Sequence, residues 1–256
     1  MDFLQITWDA APHIIRTEAF EIRWYGVMFA LAFLLGYFFM QHVFTREKVN
    51  HEYLDRLALY LFFGALIGAR LGHVFFYQPD FYLSNPAEII KIWRGGLASH
   101  GGTIGILVSL YIFTRNNPIF NLSWVLDRLV IPVALGGALI RVGNFFNSEI
   151  LGTPTNLPWA VIFERVDDIA RHPAQLYEAL SYIVIFGILW FLYSKWGKSS
   201  PKGFLLGLFF ILLFGARFMV EFVKETYVEG LPLQMGQLLS IPFIVAGIIL
   251  VWRSRK

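Results

Sequence analysis

Long apolar runs alternate with short polar connectors along most of this chain. Seven runs, at about 22–44, 54–77, 97–113, 124–147, 174–194, 203–223 and 236–252, approach or exceed the roughly 20 apolar residues a helix needs to cross a bilayer. The third and seventh are short. Polar segments such as TREKVNHEY (45–53), TRNNPIFNLS (114–123) and SKWGKSSPK (194–202) mark where the runs stop. The pattern predicts an all-α polytopic membrane protein with about seven transmembrane helices. It forms a single integral membrane domain over 1–256, with outer-face loops at about 78–96 and 148–173.

The basic residues orient these spans. One set of alternate connectors (45–53, 114–123, 195–202 and 253–256) holds nine Lys or Arg in 31 residues, whereas the other (1–21, 78–96, 148–173 and 223–235) holds six in 79. The denser set belongs in the cytoplasm. The N-terminus is then outside and the C-terminus inside, as seven spans require. The segment MDFLQITWDA has neither the basic start nor the apolar run of a cleavable signal peptide, so the first span is expected to remain in the mature protein.

Composition agrees with the pattern. The chain is 57% hydrophobic and 15% charged, with a mean hydropathy of +0.58. Soluble domains carry roughly 45–50% apolar and about 25% charged residues, so a soluble enzyme and a disordered chain are both excluded. The 26 Phe, 11 Tyr and 8 Trp suit lipid-facing packing and interfacial belts. With no Cys, the chain has no disulfide, thiolate metal site or thiol nucleophile, and any thiol chemistry must use a substrate's thiol. The net charge of +3 does not call for nucleic acid, because in a membrane chain basic residues first report topology.

Three of the outward-running spans carry an arginine. GALIGARLGHVFF (64–76), GGALIRVGNFFN (136–147) and LLFGARFMVEF (212–222) place Arg70, Arg141 and Arg217 at 16, 17 and 14 residues from their inner ends. At about 1.5 Å per residue this is roughly 21–26 Å, in the outer third of the bilayer. An arginine in a span needs a partner, a water-filled cavity or an anion. Each one alone could snorkel to the headgroups or pair with an acid, Glu221 being one turn from Arg217. Three at one depth would repel, which points instead to a shared anion, most simply a phosphate.

Other polar groups gather at the outer ends. RGGLASHGGTIG brings the chain into the third span with His100 among glycines that would let backbone N–H groups approach a ligand. His100 is either a solvated or capping residue, or a base, since an unperturbed imidazole titrates near about 6.5. RVGNFFNSEILG (141–152) sets Arg141, Asn144 and Asn147 at i, i+3 and i+6, a polar stripe that must face protein or a cavity. The stripe can also be read as caps and glue between helices. An interfacial belt accounts for Trp24 and Tyr25 of IRWYG, and belt plus capping for Gln175 and Glu178 of RHPAQLYEAL (171–180).

Taken together, IRWYG (22–26), SHGGTIG (99–105), RVGNFFNSEILG, RHPAQLYEAL, ARFMVEF (216–222) and MGQLLSIP (235–242) resemble, in order, the motifs of the bacterial prolipoprotein diacylglyceryl transferases. The resemblance implies an inner-membrane enzyme with its site toward the outer leaflet. Such an enzyme moves the diacylglyceryl group of phosphatidylglycerol to the lipobox cysteine thiol of a preprolipoprotein, forming a thioether and releasing glycerol 1-phosphate. It also implies that Tyr25, His100, Arg141, Asn144, Glu149, Gly152, Arg217 and Glu221 are the site residues, each at its matching motif position.

That chemistry fits the residues. Charge grows on the leaving phosphate, which Arg141 and Arg217 would stabilise in the transition state, with Arg70 as a third contact. The acceptor thiol, with a pKa of about 8.5, needs a base or a positive field. His100 is the first candidate base and Glu149 the alternative, while Tyr25 and Asn144 would orient the headgroup and Glu221 would position Arg217. No metal-ligand spacing or nucleotide loop is present, so no cofactor and no metal are expected. The rival reading is a secondary transporter of an organic anion using the same arginines. It would call for internal repeats and access from both faces, neither of which the sequence suggests.

Overall fold

The computed structural model describes residues 6–18, 20–92, 95–225 and 233–254. Its α-helices are α1 (Trp24–Glu47), α2 (Glu52–Phe76), α3 (Pro79–Ser84), α4 (Ser99–Asn116), α5 (Leu122–Asn147), α6 (Ala174–Trp196), α7 (Phe204–Val220) and α8 (Met235–Ser254). Short strands flank them: β1 (Ile6–Trp8), β2 (His13–Arg16), β3 (Glu21–Arg23), β4 (Val161–Phe163) and β5 (Ala170–Arg171). Among the described residues six helical segments are long and apolar enough to span a membrane: α1, α2, α5, α6, α8, and α7 together with the turn that continues it to Val223. The chain is an all-α polytopic membrane protein.

The third expected span is α4, an 18-residue helix. It is less apolar than the rest because it opens on Ser-His-Gly-Gly and closes on Thr-Arg-Asn. The loop at 78–96 contains α3 and a 3₁₀ turn (Pro86–Glu88), and the loop at 148–173 contains β4 and β5. The chain packs as two compact units, Met1–Met40 with Leu126–Lys256, and Gln41–Val125.

In the second unit, α2 and α4 meet through a small-residue stripe. Gly64, Gly68 and Gly72 recur every fourth position on α2 and oppose Ser109, Gly105 and Gly101 on α4. A Cβ built on Gly72 would stand 2.7 Å from the Gly101 Cα, and one on Gly105 would stand 2.8 Å from the Gly68 Cα. Backbone therefore packs on backbone, the arrangement by which helices associate where lipid supplies no hydrophobic drive. The sequence suggested that the glycines of 99–105 open backbone to a ligand, but Gly101 and Gly105 face α2 instead. Gly68→Ala is expected to force the helices apart at a cost of about 1–3 kcal/mol. A thermal melt of the purified protein in detergent should show a lower midpoint, and an unchanged midpoint would count against this close contact.

In the first unit, the small sheet runs β1-β4-β5, with β1 parallel to β4 and β4 antiparallel to β5. It covers a core of Phe145, Leu151, Val161 and Phe163, with Trp8 packed 4.5 Å from the Phe145 ring. At the opposite end of α5, the buried Asp127 carboxylate accepts the backbone N–H groups of Gly203 (2.6 Å) and Leu206 (2.9 Å). It thereby satisfies donors that the first turn of α7 would otherwise leave unpaired.

The orientation from basic residues predicts that Ser199 faces the cytoplasm and Asn156 the outside. Both are exposed, at connectors flanking the two ends of α6. A single cysteine at either position should react with an impermeant maleimide only from the expected side, and the reverse pattern would overturn the orientation.

Candidate active site

The last turns of α5 and the first of α6 bring the predicted polar stripe against buried charge. On α5, Gly137 and Arg141 share a face one turn apart, and on α6 so do Glu178 and Tyr182. The Tyr182 ring lies 3.1 Å from where a Gly137 Cβ would stand. One turn further, the Arg141 Nε meets Glu178 Oε2 at 2.7 Å. Glu178 is fully buried, and its other oxygen accepts a hydrogen bond from Lys224 Nζ at 2.8 Å. Lys224 also pairs with Glu221 at 3.3 Å. A buried carboxylate between two cations satisfies the rule that an ion in a low dielectric needs a close counter-ion.

Past the end of α5 the chain turns sharply. Ser148 and Ile150 take φ of +55° and +58°, left-handed values that non-glycine residues adopt at a cost. The turn carries Glu149 back toward α5, where its carboxylate accepts hydrogen bonds from Asn144 Nδ2 (3.2 Å) and Asn147 Nδ2 (3.1 Å). Asn144 Oδ1 in turn accepts from Arg141 Nη1 at 3.1 Å. Gln175 of α6 fixes the same turn by donating to the Glu149 carbonyl at 2.5 Å. Tyr25 of α1 packs its ring and Cα on Gly143, and its hydroxyl lies in the field of Glu149 and Arg141.

Gly152 has a structural reason to lack a side chain. Its N–H donates to the His172 carbonyl at 3.1 Å, and a Cβ there would stand 2.8 Å from the Val223 carbonyl oxygen. Residues 152–153 are therefore clamped between the 170–172 strand and the segment that carries Lys224, with Thr153 N–H donating to Val223 O at 2.8 Å. Arg171 ties the same region together by pairing with Asp167 and Glu225. Its hydrogen bond holds the Asp167 carboxyl below the usual carboxylate range.

Arg217 lies near the end of α7, in the same unit. Its Nε is buried and has no hydrogen-bond partner among the described residues. Its charge, with that of Arg141, reaches the buried Tyr182 hydroxyl. Among the described residues no ion pair joins Glu221 to Arg217, the pairing the sequence suggested. Among the described residues, Glu221 engages Lys224 and accepts the Gly236 N–H (3.1 Å) at the start of α8.

The remaining two candidates lie in the second unit. Arg70 is 5% exposed and is surrounded by carbonyls of one loop. Nε donates to Ile89 O (2.7 Å), Nη1 to Gly95 O (2.6 Å) and Gly96 O (3.0 Å), and Nη2 to Glu88 O (2.6 Å) and Lys91 O (3.5 Å). The guanidinium also stacks over Tyr82 at 4.9 Å. These bonds occupy all five of its N–H donors, so here Arg70 ties residues 88–91 to residues 95–96. His100 stands exposed in the first turn of α4. It makes no side-chain hydrogen bond among the described residues, and the capping position belongs to Ala98.

Sequence reasoning missed Glu178, Lys224 and Tyr182. The signals present were the i, i+3 pair Glu221–Lys224 and a glutamate one turn into α6. Neither says that residues 46 apart form an ion pair.

An integral membrane protein that buries alternating cations and carboxylates beside an arginine whose Nε has no partner among the described residues has a polar site suited to an anionic ligand. The sequence model of the prolipoprotein diacylglyceryl transferases matches residues 12–253. The phosphatidylglycerol–prolipoprotein diacylglyceryl transferase of Chloroherpeton thalassium is 50% identical over 254 residues, covering 98% of this chain and 95% of that protein. The enzyme of the same name from Tolumonas auensis is 48% identical over 252 residues, 97% of each chain. That from Porphyromonas gingivalis is 42% identical over 271 residues, 98% of this chain and 95% of its own. The chain belongs to the prolipoprotein diacylglyceryl transferase family, and the transporter reading gives way to that of a transferase.

Proposed function

We propose that this protein transfers the diacylglyceryl group of phosphatidylglycerol to the lipobox cysteine thiol of a preprolipoprotein, at the outer leaflet of the bacterial inner membrane. In the step, the thiolate sulfur forms a bond to the glycerol carbon of the diacylglyceryl group. The bond from that carbon to the phosphate oxygen breaks, and glycerol 1-phosphate leaves with the electron pair. The observation that carries this reading is the Arg217 Nε, buried and without a hydrogen-bond partner among the described residues, in the same cluster as an Arg141 held by Glu178 and Asn144.

A phosphodiester that becomes a monoester gains negative charge, so fixed guanidinium donors stabilise the transition state more than the bound lipid. Glu178 takes the Nε edge of Arg141 and Asn144 takes Nη1, which aims the remaining donors. Tyr25 and Asn144 orient the headgroup. Gly152 and Glu221 hold the surrounding backbone, through the clamp at 152–153 and the start of α8. Arg70 supports the second unit's loop rather than the phosphate. His100 takes the thiol proton; Glu149, engaged by two amides, is the second choice.

Purified protein in detergent, given phosphatidylglycerol and a lipobox peptide, should add the diacylglyceryl mass to the peptide and release glycerol 1-phosphate. With phosphatidylcholine in its place the peptide should stay unmodified. A peptide unchanged in both mixtures, from protein that remains folded, would sink the proposal.

A further inference from the structure

The segment ahead of the first spanning helix is an amphipathic hairpin. β2 and β3 pair antiparallel with His13 opposite Arg23, Ile15 opposite Ile22 and Arg16 opposite Glu21. Hydrogen bonds between Thr17 and Phe20 close it. Because side chains alternate along a strand, Glu21 and Arg23 share one face with their partners Arg16 and His13. Contacts of Glu21 with Arg23 (3.1 Å) and with His13 (3.7 Å) agree. Phe20 and Ile22 take the other face together with Ile15. The register shift between His13 and Ile15 puts Ile14 beside Ile15. These four apolar side chains are 40–55% exposed.

The hairpin cannot stand far from the bilayer. Arg23 ends β3 and Trp24 begins α1 with no linker, and the Trp24 N–H donates to the Pro12 carbonyl at 3.0 Å, which fastens the base of the hairpin to the helix start. Strands of four and three residues reach only about 10–13 Å. A tryptophan at that junction marks the level of the headgroups.

We infer that the hairpin lies on the membrane surface. Ile14, Ile15, Phe20 and Ile22 are set into the boundary between headgroups and acyl chains, and Arg16 and Arg23 are turned to phosphates and water. A lipid surface fits better than a protein partner, because four half-exposed side chains fall well short of the about 800 Å² that each side of a stable protein interface buries. The inference does not depend on the reaction proposed above.

Since the chain has no cysteine, a nitroxide placed at Ile15→Cys, Phe20→Cys or Arg16→Cys reports from that position alone. In full-length protein reconstituted in nanodiscs of phosphatidylethanolamine and phosphatidylglycerol, labels at 15 and 20 should collide more often with oxygen than with a water-soluble nickel chelate. The label at 16 should show the reverse ratio. If all three labels favour the nickel chelate, the hairpin stands in water and the inference falls. If positions 15 and 20 are shielded from both reagents, protein covers the apolar face and the inference falls as well.

Discussion

Arg141→Lys is expected to lower the transfer rate by about tenfold to a thousandfold, with the protein still inserted and folded. The substitution keeps the charge, so any effect of field alone should survive. It removes the planar fork, and with it the simultaneous contacts to Glu178 at 2.7 Å and Asn144 at 3.1 Å that fix the direction of the group. Loss of one aimed donor from a transition-state site typically costs about 10²–10³ in turnover. The loss should fall mainly on kcat, because the leaving phosphate carries more charge in the transition state than in the bound lipid. Arg217→Lys should behave alike, since the buried Nε disappears with the guanidinium. Initial rates of peptide mass gain against phosphatidylglycerol concentration would decide. Near-normal turnover in both variants would mean that the two arginines serve only to reach the headgroup region.

What was legible in the sequence follows the range of the physics. Apolar runs report spans because burial in lipid acts on every residue of a segment, and six of the seven expected runs coincide with helices long and apolar enough to cross. The third run reads weakly for a specific reason. Its glycine face packs closely on α2, and that contact, not apolarity, holds it there. β1, β4 and β5 left no trace, because strands of two or three residues are too short to show a period of two.

The same distinction divides the site. Arg141, Asn144 and Glu149 sit within nine residues, so helical spacing and one tight turn suffice to join them. Glu178 and Lys224 become partners only when α6 packs beside the segment after α7, and nothing local encodes that pairing. Arg70 shows the converse limit. An arginine inside an apolar run does need acceptors, but the run cannot reveal that Glu88, Ile89 and Gly95 supply them as carbonyls.

His100→Gln is expected to lose at least about a hundredfold in rate near neutral pH, the lower end of the about 10²–10⁴-fold that general-base help supplies. The side chain is exposed at the start of α4 with no hydrogen-bond partner among the described residues, so the substitution breaks no hydrogen bond there that holds the helix. Glutamine keeps hydrogen-bonding capacity but cannot take the proton. The acceptor thiol ionises near about pH 8.5, so a variant lacking only the base should recover part of its rate as pH rises and the free thiolate forms unaided. The native enzyme should gain less over the same range, because its base already does this work. Rates of peptide modification between pH 6.5 and pH 9 would separate the cases. Full rate at pH 6.5 in the variant would remove His100 from the reaction and make Glu149→Gln the next substitution to measure. A deep loss with no recovery at high pH would assign His100 to binding the peptide or the lipid rather than to proton transfer.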